Sequence, residues 1–76
     1  MKVTIAKVDQ NLFSGDAISL TLPGSAGELT VLSNHAPLIT TLNAGTVTVR
    51  TKEGEQTFAI EGGVLEVSRN EAVVVL

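Results

Sequence analysis

The sequence predicts an all-β domain: a β-sandwich or flattened barrel of about eight to ten short, mostly antiparallel strands. Ten Val, four Ile and nine Thr make 23 of the 76 residues β-branched, and stiff branched side chains favour pleated strands over helices. Apolar and polar residues alternate with period two in run after run. No window of roughly eleven residues keeps helical apolar spacing without an interrupting Gly or Pro. Turn-forming residues punctuate the runs at short intervals, as hairpin corners or bulges require.

Taken in chain order, Val3 and Ile5 alternate with Lys2, Thr4 and Ala6 in the first run. Ile18, Leu20 and Leu22 alternate with Ala17, Ser19 and Thr21 in the next. Val47 and Val49 stand between Thr46, Thr48 and Arg50; Phe58 and Ile60 alternate with Thr57, Ala59 and Glu61. Leu65 and Val67 alternate with Val64, Glu66 and Ser68. Each run turns one face to a core and one to solvent or a partner. Gly15-Asp16, Pro23-Gly24, Gly45, Lys52 to Glu55, Gly62-Gly63 and Arg69-Asn70 supply the expected turns. The stretch Ala72 to Leu76 breaks the alternation, being apolar throughout. It reads as a strand covered on two sides, or one that leads directly into something further.

With 76 residues there is room for a single domain, residues 1–76. A chain of this size buries only about 60 % of its unfolded surface, so its core is thin and a partner surface helps it. A net charge of −3 and five scattered Lys and Arg argue against nucleic acid, which needs clustered cations. No cysteine is present, so disulfides and thiolate metal sites are excluded. No apolar run approaches the roughly 20 residues of a membrane helix, and the N-terminus lacks a signal-peptide pattern. These features predict a soluble intracellular domain without direct membrane insertion.

Side chains suited to chemistry are few. His35, the single histidine, could act as a base for Ser33. However, no carboxylate adjoins it in sequence, and Asp9 and Asp16 could reach it only through the fold. One His with dispersed carboxylates cannot build a zinc shell. Glu53 and Glu55 read as a solvated turn. Gly24-Ser25-Ala26-Gly27 superficially matches the GxxG loop of KH domains, but it follows Pro23 between strands in an acidic chain and reads as a turn. No phosphate-cradling Gly-rich loop occurs. Phe13 and Phe58, the only aromatics besides His35, are expected in the core. No cofactor is implied. A rival reading is an acyl- or biotin-carrier domain, with Lys52 modified at a hairpin tip, although the usual flanking residues are missing. By elimination, the leading role is binding another protein.

The stretch Gly24-Ser-Ala-Gly-Glu-Leu-Thr-Val-Leu-Ser-Asn-His-Ala-Pro-Leu-Ile-Thr-Thr-Leu-Asn-Ala-Gly45 resembles the signature of the epsilon subunit of rotary F-type ATP synthases. Phe13-Ser14-Gly15 and Phe58-Ala-Ile-Glu-Gly-Gly-Val-Leu-Glu-Val67 resemble two further motifs of that family, in the same order. The resemblance implies an N-terminal β-sandwich of about ten strands, often followed by a helical hairpin. It implies a non-catalytic rotor part of the central stalk, bound to the gamma subunit and the membrane c-ring and coupling proton flow to ATP synthesis. Its place would be peripheral, on the cytoplasmic face of a bacterial inner membrane. By position, the ring-facing residues would be Ser25, Ala26, Gly27, Glu28 and Leu29, and Ser33, Asn34, His35, Ala36 and Pro37. Leu12 and Phe13 are the implied gamma contacts, with the apolar outer face of an unspecified strand.

Four positions depart from the pattern. Ser33-Asn34 replaces Pro-Gly, Ala26 replaces a frequent acidic residue, and Thr30 a frequent Gly. Asn tolerates left-handed backbone, so the turn at Asn34 is expected to survive. The ring-facing charge then rests on Glu28 alone. The hairpin's inhibitory and ATP-binding roles have no matching residues here, leaving open a shortened or a naturally short family member.

Overall fold

A computed structural model describes residues 1–76. Nine strands follow one another with no helix: β1 (Lys2–Lys7), β2 (Gln10–Asp16), β3 (Ser19–Gly24), β4 (Gly27–Leu32), β5 (Leu38–Leu42), β6 (Gly45–Thr51), β7 (Gly54–Ile60), β8 (Gly63–Ser68) and β9 (Glu71–Val75). The expected all-β class, strand number and mostly antiparallel pairing are observed. Hydrogen bonding runs β2-β1-β9-β8-β5-β3-β6-β7, with β4 pairing only with β3. The β1–β9 pair is the single parallel one.

The nine strands curl into two layers because β5 and β3 share only the Gly24–Leu42 pairing. One layer is β2-β1-β9-β8-β5; the other is β4-β3-β6-β7. Between them lie Val3, Ile5, Leu65, Val67, Ala72 and Val74 from the first, and Leu20, Leu22, Val31, Val47, Val49 and Ile60 from the second, all buried. Nine of these fall on the inward phase of an alternating run, which is why the period-two pattern identified them. Val31, and Ala72 and Val74 of the unbroken apolar stretch, lie outside those runs and are placed inward by the strand pairing. No buried side-chain polar atom lacks a hydrogen-bond partner, consistent with an almost purely aliphatic core.

At the strand edges β2 and β7, Phe13 and Phe58 close the space between layers. Their rings meet edge to face, with centroids 6.2 Å apart and planes at 66°. Both are half-buried and pack on the core. Edge-to-face pairs contribute about 0.5–1.5 kcal/mol beyond area burial. Phe13→Leu is therefore expected to lower the melting temperature by roughly 4–8 °C per kcal/mol lost, as thermal unfolding by circular dichroism would measure. A variant melting with the wild type would remove this pair from the account of stability.

Some expected turns move by a residue or two. Gly15-Asp16 lies inside β2, paired with Val3 and Lys2, and the chain bends at Ala17-Ile18 instead. The Gly15 position lies beside the Phe13 ring, where an added Cβ would make ordinary contact, 3.6 Å from Phe13 Cζ. Pro23-Gly24 ends β3 rather than turning. Pro23 pairs with Glu28, its carbonyl accepts from Asn43 N–H at 2.8 Å, and the reversal falls at Ser25-Ala26. Gly45 opens β6, opposite Ile60. The turns at Lys52-Glu53, Gly62 and Arg69-Asn70 fall where expected.

Strand β9 occupies the middle of its layer, between β1 and β8. Ala72 and Val74 are fully buried inward, whereas Val73 is half-buried and Val75 exposed on the outer side. The apolar run is thus covered on one face, and its other face contributes to a surface patch.

Candidate functional site

The two loops singled out from the sequence sit at opposite ends of β4. Ser25 and Ala26 form the tip of the β3–β4 hairpin, closed by the Gly24–Gly27 pair. Gly24 is obligatory there: a Cβ at that position would lie 2.5 Å from Leu29 Cδ2 and 2.7 Å from the Gly27 carbonyl. Ser25 N–H donates to Thr41 O at 2.9 Å, anchoring the tip to the end of β5. Glu28 projects from the exposed strand as the only charge among residues 25–29, and Leu29 is half-buried against the core. At the far end, Ser33 to Pro37 link β4 to β5 and are all exposed. Six strand residues, roughly 17–20 Å at strand spacing, separate the loops. β4 is an edge strand, so both loops and its free edge form one continuous margin of the molecule, residues 25–37.

Asn34 adopts φ 62°, so the left-handed turn expected where the family pattern has Pro-Gly is present. His35 N–H donates to Leu32 O at 3.2 Å, and its ring Nδ1 lies 2.7 Å from Ala36 O. The ring is therefore engaged with the adjacent main chain rather than with Ser33 or a carboxylate. No three His, Asp or Glu side chains gather closely enough to hold a metal ion. Lys52 and Glu53 tip the β6–β7 hairpin beside an open groove of about 620 Å³ that also borders Asp16 and Ser33. Its two acids, Asp16 and Glu53, and its one lysine are exposed.

The outer face of the β1-β9-β8-β5 layer holds what sequence reasoning could not place. Strand pairing aligns Ala6, Val75, Val64 and Thr41 in one row, and Thr4, Val73, Glu66 and Ile39 in the next. Ile39 is 71 %, Val75 53 % and Val64 41 % exposed, yet all three lie on this one face. Lys2, Glu71 and Ser68 form the adjoining row at its margin. Val64, Val73, Val75 and Ile39 thus cluster around one exposed carboxylate, Glu66, and an exposed apolar cluster with a polar rim marks a protein-binding surface. In the sequence Val64 was one outward residue of an alternating run, Ile39 belonged to no run, and Val73 and Val75 to the unbroken apolar stretch; only the strand order brings them together. Leu12 and Phe13 lie elsewhere, on the edge strand β2. Phe13 pairs with Ile5 and Asn11 with Ala6, leaving Leu12 as the extra residue of a β-bulge. Both are half-buried and packed on the core.

By class, the molecule is a small β-sandwich domain distinguished by shaped margins and a bare apolar face rather than by a cleft. The family model for the β-sandwich domain of the ATP synthase delta/epsilon chain matches residues 1–76. The chain belongs to that family. It is 40 % identical over 75 residues to the ATP synthase epsilon chain of Bordetella parapertussis, covering 97 % of this chain and 54 % of that one. It thus spans about half the length of this curated relative. Among solved structures, it superposes on a chain of the Euglena gracilis mitochondrial ATP synthase with a TM-score of 0.89, at 21 % identity, over 96 % of this chain and 48 % of that one. A chain of the Tetrahymena thermophila mitochondrial ATP synthase central stalk and c-ring gives a TM-score of 0.84, at 17 % identity, over 97 % and 60 %. At those identities the superpositions speak for the fold.

Proposed function

We propose that this domain is a non-catalytic rotor part of the proton-translocating ATP synthase, joining the gamma subunit to the c-ring in the central stalk. The family match across residues 1–76 carries this reading. The apolar outer face built on Ile39, Val64, Val73 and Val75 is the gamma-docking surface, with Leu12 and Phe13 at most marginal to it because their side chains already serve the core. The margin from Ser25 to Pro37 rests on the ring, with Glu28 and His35 as its polar contacts. A strand edge with a loop at each end suits this role because it can lie along a flat ring surface and touch it at two separated points. The domain associates with the membrane peripherally, on the cytoplasmic face of a bacterial inner membrane, through the complex. Lys52 stands on a hairpin tip as a carrier lysine would, but the family motifs lie elsewhere and nothing around it supports modification.

The direct test is titration calorimetry of the folded chain with the gamma subunit. Stable association is expected, and failure of well-folded protein to bind overturns the reading. On the ring side, Glu28→Lys reverses the single charge of the hairpin tip. In the assembled enzyme it should lower ATP-driven proton pumping by roughly two- to tenfold, since rim charges modulate rather than dominate an interface. Its effect on stability should stay within about 0.5 kcal/mol, as for other surface substitutions. A large drop in melting temperature would instead make Glu28 a structural residue.

A further inference from the structure

We propose that Asn70 is the positioning residue of the His35 loop, acting from the β8–β9 turn. Arg69 and Asn70 have φ 52° and 60° between the paired residues Ser68 and Glu71. Positive φ at both central positions of a two-residue hairpin loop marks a type I′ turn. The turn is itself held to the sheet, since Lys2 N–H donates to Asn70 O at 3.2 Å. From this fixed base the Asn70 side chain reaches across 36 positions of sequence, and its Oδ1 accepts from Asn34 N–H at 2.8 Å. The other hydrogen bonds of residues 33–37 are local, His35 N–H to Leu32 O and His35 Nδ1 to Ala36 O. The Asn34–Asn70 bond is therefore the one hydrogen bond that ties this loop to another part of the chain.

The bond also has a conformational logic. Asn34 is a non-glycine residue in left-handed space, where an Asn costs more than a Gly. An acceptor aimed at its N–H favours that conformation over the extended alternatives open to an exposed loop. Asn70 thus fixes the direction in which His35 and Pro37 are presented. This inference rests on the reading of residues 33–37 as a contact surface, and its test separates the two.

Asn70→Gly keeps the type I′ turn, which favours Gly, and deletes the acceptor. Asn70→Asp keeps an acceptor and tolerates the turn's backbone. Hydrogen exchange followed by NMR should show the Asn34 amide exchanging about tenfold faster in Asn70→Gly, the equivalent of roughly 1.4 kcal/mol, and at the wild-type rate in Asn70→Asp. Amides of the buried strands β8 and β9 should be unchanged in both, which a general loss of stability would not allow. In the assembled ATP synthase, Asn70→Gly should reduce proton pumping and Asn70→Asp should restore it. Unchanged exchange at Asn34 in Asn70→Gly overturns the positioning role. Faster exchange with undiminished pumping confirms the anchor and overturns the loop's assignment as a contact.

Discussion

Gly63→Ala is expected to unfold the domain at temperatures where the wild type is fully native. Gly63 opens β8 at φ 150°, and a Cβ there would lie 2.6 Å from the Val75 carbonyl and 3.0 Å from Leu76 Cδ2. Val75 ends β9 but is paired on both sides, with Ala6 and Val64, so its carbonyl cannot swing aside as a side-chain tip can. Two costs combine: strain of a side chain at positive φ, about 1–3 kcal/mol, and overpacking against main chain, about 1–3 kcal/mol. Their sum approaches the whole stability of a small domain, typically about 0.05–0.15 kcal/mol per residue. At roughly 4–8 °C per kcal/mol, the melting temperature should fall by tens of degrees. Gly54→Ala is the matched control, since Gly54 has φ 130° but nothing within 4 Å of its Cβ position. It carries the strain alone. If the two variants melt together, the close approach of β9 to β8 contributes nothing and this explanation of the Gly62-Gly63 motif fails.

The second large effect concerns binding. Ile39→Glu combined with Val75→Lys places two charges in the bare outer face of the β1-β9-β8-β5 layer, where both residues are exposed. Only a few residues near an interface centre act as hot spots, at about 2 kcal/mol or more each. One such loss together with the cost of burying unpaired charge should lower affinity for the gamma subunit by at least about 100-fold, at tenfold per 1.4 kcal/mol. Thermal stability should hardly move, because neither side chain belongs to the core and surface substitutions usually stay within about 0.5 kcal/mol. Calorimetric titration against gamma, beside a thermal melt of the free variant, reads both quantities. Undiminished affinity would place the gamma contact elsewhere, with the half-buried Leu12 and Phe13 the next positions to test.

Much of this was legible in the residues, for reasons that differ from element to element. Strands β1, β3, β6, β7 and β8 announced themselves because each buries one face, and period two records burial directly. The left-handed turn at Asn34 was legible through the family resemblance, whose pattern has Pro-Gly there, because Asn is one of the few residues that can take that backbone in its place. Strand β2 was harder: its phase is broken by the bulge at Leu12, and Gly15 imitates a turn. Which outer face carries the apolar cluster was not legible. Ile39, Val64, Val73 and Val75 come from three strands, and only the order β9-β8-β5 makes them neighbours. Nor could spacing along the chain reveal that Asn34 and Asn70 meet. Both belong to turns, and each turn had its own sufficient local explanation.

The parallel pairing of β1 with β9 bears on how the molecule comes to exist. Lys2 pairs with Glu71, so the centre of one layer joins the first and the ninth strands, far apart in sequence. The entropy of closing so long a loop must be met before that contact returns anything, which makes such topologies slow folders. Until β9 inserts, β1 and β8 each present an open edge flanked by aliphatic side chains, the form most prone to association with other chains. Refolding is therefore expected to be concentration-sensitive and to finish with the insertion of β9. The last strand in sequence is also the keystone of its layer.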